Sequence, residues 1–354
     1  MKPGVRLKNR LVCLSYKWTL QDWGNNGLSI DLNNLNYTFA NPGQDAGKST
    51  KIIQKLGIME LTEIIAELEN YTGTFPRLAL EQAIAEQEAI TPLLLATVAE
   101  WTSKLEELSE RPNYFLHIYA MYLLAQFKES QAYVPIVEFF SVPGQISMDV
   151  TGDLVTEDLG RILASVCDGN IEPLQQLIEN RQINEYVRSS ALSSLIILVV
   201  QRAIDREVVV RYFEELFTTR LEGEDSYIWT KLVMESAVLA PLQLKQQIDR
   251  AFEADLVEEF FFSREDVDYY INLGQEASLN ELRDHQHYTL IEDTIAEMEW
   301  WNCFQAKKPK ESTRTPFGSR DLSLSPQKIA TSTKKKTQGK MQKQARRKNR
   351  SKKK

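Results

Sequence analysis

Cysteine, histidine and long apolar runs are what this sequence has least of, and each shortage narrows what the chain does. The three cysteines, Cys13, Cys167 and Cys303, lie far apart and share no CxxC spacing, so they build neither a disulfide framework nor a zinc knuckle on their own. That usage fits a reducing cytosol, and a cytoplasmic protein is expected. The apolar runs, Leu195 to Val200 among them, fall far short of the ~20 residues a bilayer span needs, and no basic-then-apolar leader opens the chain. GxSxG, HExxH and a cysteine with a plausible histidine partner are missing too, so no catalytic, cofactor or metal residue is assigned and a non-enzyme is the favoured reading. Strand-like alternation is scarce: VVVRYF from Val208 is β-branched but runs on helically into EELF.

What the chain does have is charge, sorted by region. The formal net charge of −7 hides a tail, residues 307 to 354, with 18 Lys/Arg against Glu311 and Asp321. Residues 1 to 58 carry +5, which leaves −28 on residues 59 to 306. The last part of the tail, TKKKTQGKMQKQARRKNRSKKK, has no aromatic residue and hardly any apolar one, so it cannot bury enough surface to offset the entropy of ordering and is expected to be disordered. Lys334, Lys335, Lys336, Lys340, Lys343, Arg346, Arg347, Lys348, Arg350, Lys352, Lys353 and Lys354 are the candidate polyanion-binding residues. The competing use of the tail is internal, folding over its own acidic body, and salt screens either attraction.

Residues 1 to 58 are rich in Asn, Gly and Ser and show no sustained period, so they read as a poorly structured extension, or as an upstream misreading of the start at Met59. Helical patterning begins there. Pro76 sits at a helix start; Thr91-Pro92 repeats the device, with the threonine as cap; Pro112 opens a third helix, and YFLHIYAMYLLAQF, Tyr114 to Phe127, is apolar nearly all round, as an inner helix should be. YVPIVEFF from Tyr133, IEPLQQLI from Ile171 and YFEELF from Tyr212 recur at offsets near 40 residues, and VRSSALSSL from Val187 carries the small-residue pattern of HEAT repeats. The expected fold is all-α, an α-α superhelix of HEAT or armadillo type over residues 59–306, with disordered termini.

Several motifs are weighed against plainer readings. PGQDAGKST has three residues between Gly43 and Gly47 instead of the four of a phosphate loop, and no strand leads into it. His285 and His287, near Asp284 and Cys303, would chelate a metal only if they shared a face; a solvated helix end is the favoured alternative. His117 reads as a core or groove histidine with a hydrogen-bond partner. SVPGQISMDVTGDLVTEDL, from Ser141, reads as a connection between two repeats longer than usual; its Asp149, Asp153, Glu157 and Asp158 read either as cation ligands or, in the favoured reading with Thr156 as cap, as acids at a helix start. In Phe260-Phe261-Phe262, Tyr269-Tyr270 and Trp300-Trp301, adjacent rings on a helix cannot all face one core, so either one ring of each set is exposed for a partner or, in the favoured reading, the sets close the hydrophobic end of the stack.

The segments LALEQAIAEQEAITPLLL, HIYAMYLLAQFKESQAYVPIVEFFSVPG, EYVRSSALSSL and REVVVRYFEELF resemble a cyanobacterial-like bacterial family grouped as domain of unknown function 1186, over about residues 59–260. The resemblance implies a HEAT-like helical superhelix and no activity. Some relatives end in a Cys-rich SEC-C zinc motif; residues 318–325 are faintly similar, with Ser323 and Ser325 where the thiolates would stand, which removes the metal site. The leading expectation is a non-enzymatic scaffold or adaptor whose helical groove takes an unknown protein partner. The alternatives are an RNA- or ribosome-associated factor acting through the tail, and a metal-dependent enzyme with an acidic groove.

Overall fold

A computed structural model describes residues 59–221, 227–239, 242–283 and 285–305. The N-terminal extension, the phosphate-loop-like segment, residues 318–325 and the basic tail all lie outside them. Among the described residues the chain is all-α: no strand forms, and only the isolated bridges Asn70–Tyr114 and Gly144–Ile183 occur.

The helices are α1 (Leu61–Glu69), α2 (Arg77–Ala85), α3 (Gln87–Thr102), α4 (Leu105–Ser109), α5 (Leu116–Gln126), α6 (Tyr133–Phe140), α7 (Ile146–Thr151), α8 (Leu154–Glu157), α9 (Leu159–Val166), α10 (Glu172–Glu179), α11 (Glu185–Val200), α12 (Arg206–Glu215), α13 (Tyr227–Val238), α14 (Lys245–Glu253), α15 (Arg264–Leu273), α16 (Gln275–Arg283) and α17 (Thr294–Met298). They stack in two rows. α5, α9, α11, α13 and α15 pack side by side as an inner row, while α3, α6 and α10 pack beside one another against its outside, followed by α12 and α14. The central inner helices are buried nearly all round, with every residue of α5 from Leu116 to Ala125 and every residue of α9 buried, whereas α15 at the end of the row buries Val267 alone. Outer helices bury one stripe only, as Leu174, Leu177 and Ile178 do in α10.

The repeat also shows in the turns, which lie on one another. Phe115 N donates to Glu69 O at 2.8 Å, Gly144 N to Gln182 O at 3.0 Å, Asn184 Nδ2 to Gln145 Oε1 at 2.6 Å and Tyr227 N to Glu185 Oε2 at 2.7 Å. Backbone groups freed at helix ends thus find partners in the next repeat.

Three sequence expectations need correction. Thr91-Pro92 does not start a helix: α3 runs through Pro92, and Thr91 Oγ1 donates to Gln87 O at 2.7 Å. An interior proline costs about 3 kcal/mol, but Ile90, Leu94, Val98 and Trp101 on both sides of it are buried, each worth about 1.5–3 kcal/mol. Pro112 sits in the turn after the unforeseen α4, and the next helix begins at Leu116 rather than Tyr114. The connection from Val142 is filled by α7 and α8; Thr156 caps nothing, its hydroxyl donating to Asp153 O at 3.2 Å, and α9 starts from Asp158.

The small-residue motif of α11 does bring helices close, through its serines. A Cβ on Gly160 of α9 would lie 2.9 Å from Ser190 O and 3.1 Å from Ser193 Cβ. Glycine to alanine inside a helix ordinarily stabilises by about 0.5–1 kcal/mol. Here we expect Gly160→Ala to destabilise by about 1–3 kcal/mol, because backbone stands in the way, and chemical denaturation of variant and parent checks the sign.

His117, in α5, is the core histidine the sequence led us to expect. It is buried at 2% exposure, stacks between Tyr114 and Phe139, and its Nε2–H donates to Val150 O at 2.9 Å. Burial, only partly opposed by that hydrogen bond, lowers its pKa to about 4. The neutral ring is therefore favoured in the folded state, so its contribution is complete above pH 6.5 and is lost as pH falls toward 4. Between those limits His117 should contribute a pH-dependent loss of about 3 kcal/mol, read as the difference between unfolding curves of the parent and His117→Asn.

Candidate functional site

After α16 the chain reverses and runs back along the inner row, from α13 to α1, as residues 285–305. Each step of this strap is held by a hydrogen bond to the helical stack beneath it. Tyr288 OH donates to Glu235 Oε2 at 3.3 Å; Ile291 N donates to Ser165 Oγ at 2.9 Å; Thr294 N donates to Gln126 Oε1 at 2.8 Å; Tyr71 OH donates to Cys303 O at 2.6 Å. Arg77 pairs with Glu299 and Lys128 with Glu292 at the exposed edge. Asp293 caps α17 by accepting from Ile295 N and Ala296 N.

Arg161 of α9 is the centre of these contacts. At 2% exposure its guanidinium donates to Asp158 Oδ1 (2.8 Å), to Glu297 Oε1 and Oε2 (2.5 and 2.9 Å), to Thr289 O (3.0 Å) and to Leu290 O (3.2 Å). Desolvation pushes its pKa down, yet the bonds to Glu297 and Asp158 more than offset that and hold it above the ordinary value. Tyr122 OH donates to Asp158 Oδ2 at 2.5 Å, and burial drives that phenol well up. All the donors of Arg161 point at its own chain, so it ties the strap down.

A second polar knot lies under Tyr288. Glu235 of α13, with no exposure, accepts from Ser193 Oγ at 2.8 Å and pairs with Lys231 Nζ at 2.7 Å. Burial alone would lower the Lys231 pKa, but Glu235 and Tyr227 raise it overall. A serine, a carboxylate and a lysine in contact could be read as a nucleophile with its activators. Here the serine hydroxyl is directed at a carboxylate already neutralised by lysine, which is the pattern of a satisfied buried pair.

The residues singled out from sequence do not gather into one place. His285 and His287 are exposed with rings 5.4 Å apart, and His285 Nδ1 accepts from His287 N at 3.4 Å. Asp158 is engaged by Tyr122 and Arg161, and no group of His, Cys, Asp and Glu suited to a metal ion occurs among the described residues. Each aromatic set splits: Phe262 is buried while Phe260 and Phe261 are 46% and 40% exposed, Tyr269 is exposed beside Tyr270, and Trp300 is exposed beside Trp301. Phe262 and Tyr270 do pack at the last helices, but Trp301 lies against Phe115 and Tyr122 at the other end, carried there by the strap. Arg161 and Glu235 were missed; their only sequence signal is a charge set inside an apolar helix, LGRILASV and YIWTKLVMESAV.

A family model described as protein of unknown function, DUF1186, matches residues 59–305. The chain belongs to that family. The match runs past residue 260, where the sequence resemblance stopped, and takes in the strap. An uncharacterized protein of Chlamydia trachomatis is 41% identical over 244 residues, 69% of this chain and 96% of the relative. A second, from Chlamydia muridarum, is 41% identical over 69% of this chain and 97% of its own length. Those relatives are thus nearly all domain, and most of the flanking sequence here has no counterpart in them. No solved structure matches the chain. No helix among the described residues is long and apolar enough to cross a membrane.

Arg161→Met should free the strap, because it leaves Asp158 and Glu297 without their common partner. Removing one side of a buried ion pair costs about 3–5 kcal/mol. We expect faster amide hydrogen exchange at Ile291 and Thr294, with a smaller effect from Glu297→Gln.

Proposed function

We propose that this protein is a non-enzymatic interaction module, a helical scaffold that holds extended polypeptide. The observation that supports the reading is the strap: the inner helix row carries a run of backbone-directed groups, Ser165 Oγ, Gln126 Oε1 and Arg161, on which a chain segment lies. Backbone recognition with a few side-chain anchors is how repeat proteins and peptide grooves take their ligands. Since that row is filled from within, the groove foreseen in the sequence is not an open one, and a partner must use the remaining surface or compete with the strap. The wide match to relatives over residues 59–305 supports reading that region as the seat of the shared role, with the tail an addition to it.

The test is affinity capture from extract with the full chain, with a chain ending at residue 327, and with nuclease. The reading expects a protein partner that saturates at physiological salt and is retained by both chains after nuclease. Capture that vanishes with nuclease or with the tail would favour the RNA-associated alternative and reject this one.

A further inference from the structure

At the far end from the strap's terminus, four rings form a ladder that is open to solvent at Phe260 and Phe261 and half-buried at Tyr227 and Tyr186. Tyr186 lies 5.3 Å from Tyr227, Tyr227 5.5 Å from Phe261, and Phe261 5.3 Å from Phe260, centroid to centroid. A single exposed phenylalanine needs no explanation; two adjacent ones at 46% and 40% exposure, continuous with two more rings, form a surface. The chain around the two phenylalanines is anionic: Glu253, Asp255, Glu259, Glu265, Asp266 and Asp268 are exposed on either side of them, and the one cation between residues 253 and 268, Arg264, lies over the Phe252 ring at 4.7 Å. Beside Tyr227 the charges are Glu185, Glu235, Glu258 and Lys231, the last already paired with Glu235 at 2.7 Å.

Ring faces attract cations, and carboxylates around them add to the attraction; nucleic acid and anionic lipid are repelled by the same carboxylates. The surface therefore suits a Lys/Arg-rich peptide. This chain carries one: residues 328–354 hold 13 Lys/Arg and no Asp or Glu. We propose that this basic end docks in cis on the ladder of Phe260, Phe261, Tyr227 and Tyr186 and on the carboxylates around it.

The length of chain allows it. The last described residue, Gln305, is bonded to Glu299 O beside α1 and α2, and 28 residues separate it from Lys334. A chain of that length has a random-coil root-mean-square reach of about 30 Å and an extended reach of about 90 Å, enough to span the four helix spacings, about 8–10 Å each, from α1 through α5, α9 and α11 to α13. Tethering of this kind gives an effective concentration on the order of millimolar, so even a weak site is filled until a polyanion competes for the tail.

The experiment uses the full chain at low salt. Zero-length carbodiimide cross-linking is read by mass spectrometry, and binding of a labelled 20-nucleotide single-stranded DNA is measured in parallel. Cross-links from lysines of 328–354 should concentrate on residues 253–268. The variant Phe260→Ser/Phe261→Ser/Glu259→Gln should lose them and bind the oligonucleotide roughly fivefold tighter, since the tail is released. Glu259→Gln/Glu265→Gln, which alters only exposed carboxylates, should shift both readouts the same way should the first variant melt early. Glu63→Gln/Glu67→Gln, with equal charge removed at the opposite end, should change neither. Cross-links spread over α1–α4, an equal response to the Glu63/Glu67 variant, or variants indistinguishable from the parent would overturn the proposal.

Discussion

Arg161 is a guanidinium removed from water inside an apolar helix, and such a group survives only when every donor has a partner. α9 and its N-terminal residue Asp158 supply part of what is needed; the rest comes from Thr289, Leu290 and Glu297, more than 120 residues later in the chain. The position of the strap follows from that requirement. With Glu297 and the 289–290 carbonyls fixed on α9, Tyr288 reaches Glu235 on one side, and α17, Trp301 and Phe304 reach α5 and α1 on the other. The stack is thereby closed along its inner row by its own chain.

That closure changes how a helical repeat works here. Solenoids generally offer the inner row to a partner, and here it is taken. What stays open is the outer stripe, the edges, and the ladder of rings near Phe260. The two functional ideas developed above share one physical root: an acidic body that binds polypeptide, from within at the strap and, by our proposal, again at the aromatic end.

Much of the architecture could be read from residue order. YVPIVEFF is α6 from first residue to last, the all-apolar run near Tyr119 is an inner helix, and His117 is a core group with one hydrogen bond. The errors share a cause. At Thr91-Pro92 and Thr156 a local capping rule was applied where burial of neighbours decided the outcome, and around Val150 a loop was read where six- and four-residue helices fit, each too short to show a period. Arg161 and Glu235 have local partners in Asp158 and Lys231, but their role in holding the strap was illegible because it depends on Glu297 and Tyr288, 136 and 53 residues away.

The sequence by itself determined the all-α class, the expectation of a helical stack from Met59 onward, which helices are apolar all round, and that the acidic body and the basic end carry opposed charge, because periodicity and composition are local properties. Only the tertiary structure decided that the chain turns back after α16 and fills its own inner row. That outcome rests on hydrogen bonds and ion pairs between residues far apart in sequence, and nothing in the local pattern of either partner specifies the other.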